Sequence, residues 1–443
     1  MNLNPATFTN KNMGQAPITP VQKYNIKVNI LDGAFFGLAM GFASFVTILP
    51  LFVRQMTDSA IVIGLIPAIH NMGWMLPQLL TSRHVSSLRR FKPWVLLMTI
   101  QERAPFLALA LVAWFLPALG NRAALIITLV LLIWQGLGGG VTATGWQTMI
   151  SKIMPGHMRG TFYGIQSSAA NLLSSLSAIM AGIILANLPG PGDFTLLFLL
   201  ASGGMLISWL FLAKTVEDES PVPAEMLPPK DYWHSVAGIL KSDRNFVWFL
   251  VARVLSQFAM MGMAFYTVYS VDTLGMGEVT VGILTAVYLA TQIVMNPLMG
   301  WLGDHWSHLR VIQIAVLAAI LSALIAWLAP SPGWFFPAFI LAGTANVAFW
   351  TINLALILEF GREVQRPVYI GLANTLIAPA AILAPILGGW LADTFNYPTT
   401  FLATMLLGIL TAVVYYWFVR DPRKTITVQT ASLDESLEPT LPQ

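Results

Sequence analysis

The segment Gly300-Trp301-Leu302-Gly303-Asp304-His305-Trp306-Ser307-His308-Leu309-Arg310 is a short polar interruption between two long apolar runs. It gathers one carboxylate, two imidazoles and an arginine in a chain in which only 10% of the residues are charged. One apolar run ends at Gly303 and the next begins at Val311, which predicts a turn at a membrane face. The pattern is Gly-x-x-x-Asp-basic-x-small-x-x-Arg, so Gly300, Asp304 and Arg310 are its defining positions.

The composition predicts a membrane protein. Hydrophobic residues make up 56% of the 443 residues, and the mean hydropathy is +0.70. A soluble domain carries about 25% charged residues, so this chain has too little polar surface to enclose one soluble core. The apolar residues occur in runs of about 20, the helix length that crosses a hydrocarbon layer of about 30 Å. We therefore expect an all-α protein whose surroundings are the lipid bilayer, with no nucleic-acid partner.

Twelve apolar runs, six before a polar stretch and six after it, are predicted to be transmembrane helices. They lie near 30–53, 60–82, 93–117, 123–150, 164–187, 194–213, 246–271, 279–303, 311–329, 334–358, 368–391 and 398–419.

The positions of the basic residues predict the orientation. With a cytoplasmic N-terminus, nineteen of the 23 Lys and Arg residues fall on the cytoplasmic side, among them Lys11 and Lys424. Only Arg54 and Arg122 fall outside, and the other two lie within helices. Cytoplasmic loops are enriched in Lys and Arg. We expect both termini in the cytoplasm and a multi-pass protein of the bacterial cytoplasmic membrane.

The polar stretch divides the chain into five regions. We expect a cytoplasmic N-terminal tail at 1–29, an N-terminal six-helix bundle at 30–213, a cytoplasmic linker with a short amphipathic helix at 214–245, a C-terminal six-helix bundle at 246–419 and a cytoplasmic C-terminal tail at 420–443.

The two halves carry matching loop motifs. Arg159 is followed five residues later by Gly164, and Arg366 is followed in the same way by Gly371, each with an aromatic residue between. Together with the opening motif and the plan of six helices, a linker and six more, these repeats resemble the major facilitator superfamily over nearly the whole chain. The resemblance implies two pseudo-symmetric bundles that work by alternating access around a site near the bilayer midplane.

The resemblance implies a secondary active transporter of a small organic solute, coupled to protons and acting as a monomer. One alternative is an exporter of amphipathic or drug-like compounds by proton antiport, although the Ala384–Gly389 element typical of the fifth helix of such exporters lies here in helix 11. Another is a non-transporting receptor or scaffold. An enzyme is not expected, because the chain has no cysteine and no glycine-rich phosphate loop ending in Lys-Ser or Lys-Thr. We expect no cofactor and no metal.

Ionisable side chains inside the membrane are costly and are candidates for function. In the resembled family, helices 1, 4, 7 and 10 line the cavity. Arg253 in helix 7 is therefore a candidate for contact with a substrate, and Asp32 in helix 1 is a candidate for gating or proton coupling. The alternative for both is a structural ion pair or cap.

Glu102 and Arg103 are adjacent in helix 3. Neighbours on a helix point about 100° apart, so each is expected to find a partner on another helix. His70 in helix 2 is the expected partner of Glu102, and a carboxylate beside a histidine can relay protons. A buried structural network is favoured over this role, since helix 3 is peripheral in the family.

Helices 4 and 10 each carry a stripe of uncharged polar and aromatic residues at helical spacing. The stripes consist of Gln135, Thr142 and Trp146 in helix 4 and of Asn346, Trp350 and Asn353 in helix 10. Amides and indoles suit a neutral polar or amphipathic ligand. The alternative is helix packing, which also uses such residues.

The opening segment is expected to act as a cytoplasmic latch. By resemblance, Asp304 faces the start of helix 11, where a helix dipole favours a carboxylate. Arg310 is expected to bind an acid such as Glu359 or Glu363. The weaker first-half copy of the motif has Ser82 at the position of the acid, so the second half is expected to carry more of the latch.

Overall fold

The computed structural model describes residues 18–57, 59–188, 190, 192–220 and 228–423. The predicted tails around Lys11 and Lys424 lie outside the described residues. Twelve helical segments, each at a predicted position, account for most of the described chain, and a linker helix, Pro229–Ser242, separates them into two sets of six.

The first half consists of α1 to α6. Their bounds are Pro20–Phe42 with a short continuation at Ile48–Arg54 (α1), Ala60–Met75 and Gln78–Ser86 (α2), Lys92–Trp114 with Leu116–Leu119 (α3), Asn121–Ile153 (α4), Arg159–Asn187 (α5) and Gly192–Ala213 (α6).

The second half consists of α7 to α12. Their bounds are Arg244–Phe258 and Tyr266–Asp272 (α7), Glu278–His305 (α8), His308–Leu328 (α9), Phe335–Val347 and Asn353–Ile357 joined by a π-helical turn at Ala348–Ile352 (α10), Arg366–Thr375 and Ala378–Thr394 (α11) and Tyr397–Trp417 (α12).

In the described residues, ten segments, from α3 onward, are long and apolar enough to cross a membrane. α1 is less apolar because it carries Lys27, Asp32 and buried asparagines. α2 is divided at Pro77, whose ring cannot donate a backbone hydrogen bond, and its two pieces are 16 and 9 residues long. α1 therefore falls outside this group of ten because of its polar residues, and α2 because its helix is broken.

The two halves join through two helix pairs that cross between them, α5 with α8 and α2 with α11. Glycines permit the close approach. A Cβ atom on Gly164 would lie 2.8 Å from the carbonyl carbon of Asn296, and one on Gly371 would lie 2.8 Å from the Cα of Leu79. These contacts lie near the starts of α5 and α11. We call the surface at this end of the bundle the terminal face, because α1 begins and α12 ends there.

Asp304 fastens α8 to the start of α5. Its carboxylate accepts hydrogen bonds from the backbone N–H groups of Gly160, at 2.9 Å, and Thr161. A carboxylate at a helix N-terminus satisfies unpaired donors and complements the helix dipole. The prediction that Asp304 faces helix 11 is wrong, because α8 lies along α5 and it is α2 that lies along α11.

The prediction for Arg310 is also wrong. Its guanidinium lies 5.0 Å from the centre of the Trp306 ring, on the exposed side of the first turn of α9. Glu359 is instead bound by His308, and by Arg423 at 2.6 Å. Ser307 caps α9, so His308 is the first helical residue and faces inward. Arg423 also donates to the carbonyl oxygens of Gly303 and Asp304, which ties the end of α12 to the latch motif.

The first-half copy of the motif uses a neutral contact. The Ser82 hydroxyl lies 2.6 Å from the Tyr232 hydroxyl of the linker helix, and Tyr232 also donates to the Leu79 carbonyl. Burial raises the pKa of Tyr232, so the phenol acts here as a neutral hydrogen-bonding group. The linker helix is therefore hydrogen-bonded to the first-half motif, in a place where the second half uses the Asp304 carboxylate and backbone N–H groups of α5.

We expect Asp304→Asn to weaken the α5–α8 contact by about 1–2 kcal/mol, because it removes the charge and one of the two acceptor oxygens at the start of α5. The measurement is the apparent melting temperature of the purified protein in detergent. Glu363→Gln is the matched control, since it breaks a pair with Arg366 in which the glutamate side chain is 79% exposed. Equal melting temperatures for the two variants would contradict the role of Asp304.

Candidate functional site

A cavity of about 220 Å³ lies within the first half of the protein. Every residue that lines it belongs to α1–α6, so the expected contribution of helices 7 and 10 to this cavity is not found. Its lining residues are Asp32, Gly33, Phe36, Trp74, Thr99, Glu102, Arg103, Gly139, Thr142, Ala143, Trp146, Gln166, Ser167, Ala170 and Leu212.

Three charged side chains meet on the wall of this cavity. The Arg103 guanidinium lies 3.4 Å from Asp32 and 3.6 Å from Glu102, and all three residues are buried. Ser208 in α6 completes the cluster, because it donates to Asp32 at 2.6 Å and accepts from Arg103 at 2.9 Å. Arg103 also donates to Thr99 on its own helix. The cluster thus joins α1, α3 and α6.

Glu102 and Arg103 approach each other although they are adjacent in the chain. The expectation that each would find a partner on another helix is confirmed for Arg103, which pairs with Asp32 and Ser208. It is wrong for Glu102, whose described polar contacts are on its own helix, because the long Arg103 side chain reaches back to it. Only one Glu102 oxygen, Oε2, contacts Arg103 and Thr99. The other, Oε1, lies near Gly139, where a Cβ atom would come within 2.9 Å of it. Glu102 thus presents an oxygen toward the cavity with no hydrogen bond from the described part of the chain.

His70 does not meet Glu102. Its Nδ1 lies 3.0 Å from Gln135 Oε1, and its ring stacks on Phe45 at 4.1 Å. The expected histidine–carboxylate pair is therefore wrong. The same contact turns Gln135 away from the cavity and toward α2, so of the helix-4 stripe only Thr142 and Trp146 line the cavity.

Aromatic rings form much of the remaining wall. Phe36, Trp74 and Trp146 come from three different helices. Trp146 is held by an edge contact with Tyr163 at 5.9 Å. Trp74 lies 6.3 Å from Trp350 of the second half. The cavity wall therefore combines one ionic cluster with flat apolar surfaces.

The helix-10 stripe is divided by the π-helical turn. Trp350 lies in that turn and approaches Trp74, whereas Asn353 donates to the Phe349 carbonyl of its own helix. Asn346 is half-buried, and none of the three lines the cavity. Single π-helical turns frequently occur at functional sites. The substrate-binding role of this stripe stays a prediction.

Arg253 is buried away from the cavity. Its guanidinium donates to the Ala373 carbonyl at 2.7 Å and to Asn374 Oδ1 at 3.3 Å, both in α11. The predicted helix-7 arginine is thus engaged with a neighbouring helix of its own half.

Several lining residues were not predicted from the sequence. Gln166 is the clearest, because it donates to the Asn29 carbonyl at 2.8 Å and packs where Gly33 leaves space. Trp74 and Phe36 lie in apolar runs in which aromatic residues are common. The one sequence feature that could have identified Gln166 is that an amide side chain is unusual within a transmembrane segment.

The Major Facilitator Superfamily sequence model matches residues 102–279 and 263–439. Among curated proteins, the chain is 27% identical over 143 residues to the efflux pump aflT of Aspergillus parasiticus, covering 32% of this chain and 28% of that protein. It is 23% identical over 144 residues to the class B tetracycline resistance protein of Escherichia coli, covering 32% of this chain and 35% of that protein. The matches thus span about a third of those relatives.

Solved structures share the whole fold. The human organic anion transporter MFSD10 matches with a TM-score of 0.69 at 13% identity, covering 90% of this chain and 100% of that one. The fucose:proton symporter of Escherichia coli matches with a TM-score of 0.70 at 15% identity, covering 90% and 99%. Given the family match and the twelve-helix plan in two halves, the chain belongs to the Major Facilitator Superfamily, a family of membrane transporters.

Proposed function

We propose that this protein is a secondary transporter that exchanges a small amphipathic organic cation for protons. The observation that carries the proposal is the buried cluster of Asp32, Glu102 and Arg103 on the wall of a cavity lined by aromatic rings. Ionisable groups at this depth are rare unless they serve a pathway or a proton relay.

The charge of the cluster supports a cationic substrate. Two carboxylates and one guanidinium leave one negative charge when both acids are ionised. A buried uncompensated charge is unfavourable, so either a proton or a cationic solute completes the cluster. The rings of Trp74 and Trp146 add cation–π attraction for the same kind of solute. An anion would bring a second negative charge into the cavity.

The two acids have different surroundings, which supports different roles. Asp32 is held by Ser208 and Arg103, whereas Glu102 keeps one oxygen free toward the cavity. We assign the exchange of a proton for the solute to Glu102. Asp32 then fixes Arg103 and serves in gating.

The two paired bundles support transport by alternating access. We propose that 30–213 and 246–419 move relative to each other in a monomer, with the linker at 214–245 and both termini on the cytoplasmic side. The α5–α8 and α2–α11 contacts close the terminal face, so the described arrangement is the outward-facing state in this proposal.

We expect the purified protein to bind N-methyl-4-phenylpyridinium at least about tenfold more tightly than biphenyl-4-carboxylate, because the two probes have similar shape and opposite charge. Calorimetry in buffers with different ionisation enthalpies should show about one proton released per cation bound, and binding should weaken as the pH falls. Tighter binding of the anion would contradict the assignment of charge.

We expect Glu102→Gln to abolish the acceleration of N-methyl-4-phenylpyridinium flux by a pH gradient in proteoliposomes, since glutamine cannot exchange a proton. Asp272→Asn, at an exposed position, is the control and should retain that acceleration. Retained gradient dependence in Glu102→Gln would contradict the role of Glu102. Absence of flux across a broad panel of solutes would instead favour a receptor.

We expect Arg253→Ala to leave the affinity for N-methyl-4-phenylpyridinium within about threefold of the wild type while lowering the melting temperature, because Arg253 contacts α11 and a lost charged hydrogen bond costs about 1.5–3 kcal/mol. Calorimetry and thermal unfolding of the same preparation separate the two effects. Loss of binding at an unchanged melting temperature would restore Arg253 as a substrate contact.

A further inference from the structure

The joint between α2 and α11 contains two helix breaks that face each other. α2 is interrupted between Met75 and Gln78 at Pro77, and α11 is interrupted between Thr375 and Ala378. A break leaves backbone N–H and C=O groups without their usual partners. Within a membrane such groups must be satisfied by other parts of the protein or by water.

The Thr375 hydroxyl is inserted into the backbone hydrogen-bond ladder of α2. In an unbroken helix, the Leu79 N–H donates to the Met75 carbonyl, four residues earlier. Here the Leu79 N–H donates to Thr375 Oγ1 at 3.1 Å, and this hydroxyl donates to the Met75 carbonyl at 3.0 Å. One side chain of the second half thus occupies the gap in a helix of the first half. We call this arrangement the Thr375 bridge.

Neighbouring side chains hold the bridge in place. The Asn374 amide donates to Gln78 Oε1 at 2.7 Å, and Gln78 donates to the Trp74 carbonyl, another group freed at the α2 break. At the break in α11, the Arg253 guanidinium donates a hydrogen bond to the Ala373 carbonyl at 2.7 Å. In an unbroken α11 that carbonyl would accept from Ile377. At each break, side chains therefore form the hydrogen bonds that the helix backbone would otherwise form with itself.

The internal repeat supplies a second bridge of the same kind. Ser168 follows Arg159 by nine residues, as Thr375 follows Arg366. The Ser168 hydroxyl donates at 2.7 Å to the Ile293 carbonyl of α8. That carbonyl has no intrahelical donor because the residue four positions later, Pro297, has no N–H. We call this contact the Ser168 bridge.

We propose that the Thr375 and Ser168 hydroxyls are the positioning groups that hold the terminal face closed, each by satisfying backbone groups freed at or near a proline in the opposite half. This inference rests on the proposed alternating access. When the halves separate, the Leu79 N–H is free to donate directly to the Met75 carbonyl, which shortens the break in α2. The open hydrogen-bond ladder of α2 therefore belongs to the closed state.

The two bridges differ in strength. The Thr375 hydroxyl serves two backbone groups and the Ser168 hydroxyl serves one. Thr375→Val keeps the shape of the side chain and removes the hydroxyl, so it should favour separation of the halves at the terminal face. Thr375→Ser keeps the hydroxyl and should behave as the wild type.

The experiment measures distances between spin labels, which is practical because the chain has no cysteine. One pair, Arg89→Cys with Val364→Cys, reports on the terminal face, and another, Arg54→Cys with Thr273→Cys, reports on the opposite face. The ratio of separated to closed terminal-face distances should rise about tenfold in Thr375→Val and about threefold in Ser168→Ala. The distance between the labels on the opposite face should decrease in the same variants.

Thr411→Val is the matched control, because the hydrogen bond that the buried Thr411 hydroxyl makes within the described residues goes to the Leu407 carbonyl of its own helix. If the wild type exchanges between two distances but Thr375→Val matches Thr411→Val, the bridges are not the closing groups, although alternating access stands. A change in Thr375→Ser as large as in Thr375→Val would also overturn the proposal. A single distance in the wild type under all conditions would contradict alternating access and the bridges together.

Discussion

The need to satisfy backbone hydrogen bonds away from water governs how the two halves of this protein meet. A continuous helix satisfies its own N–H and C=O groups, and a proline leaves some of them free. α2 has a break at Pro77 and the continuous helix α8 contains Pro297, and in each case a side chain of the opposite half reaches the freed group. Asp304 does the same for the start of α5. Backbone groups that lack local partners thus supply several of the hydrogen bonds between the halves.

Much of the architecture was predictable from the sequence, because the period and length of apolar runs depend on the membrane alone. The twelve helices, the linker helix and the turn between α8 and α9, at Trp306 and Ser307, follow from that pattern. The partner of Asp304 did not follow, since nothing local shows that α8 lies along α5. The His308 side chain points inward because Ser307 caps α9 and His308 is its first residue. Such a helix boundary is the least certain part of a sequence pattern.

The site was predicted only in part, for a related reason. Asp32, Glu102 and Arg103 were found because charge is rare in membrane helices, and the structure brings them together. Their mutual contact, and the separate pairing of His70 with Gln135, depend on helix rotation and side-chain bending. Of the three aromatic wall residues, Trp146 was predicted, whereas Phe36 and Trp74 were missed because they do not differ from the surrounding apolar residues. Thr375 carries no signal at all until the break in α2 is seen.

The cavity is lined by one bundle only, and this has a consequence for how a solute acts on the moving parts. In the proposed function, a solute held by α1–α6 would not bridge the halves, so its binding energy would not pull them together as a shared ligand would. It would change the electrostatic state of one bundle instead. Specificity would then depend on the first half, and the ease of opening would depend on the junction with the second. Separate sets of residues would then determine the solute and the rate of the cycle.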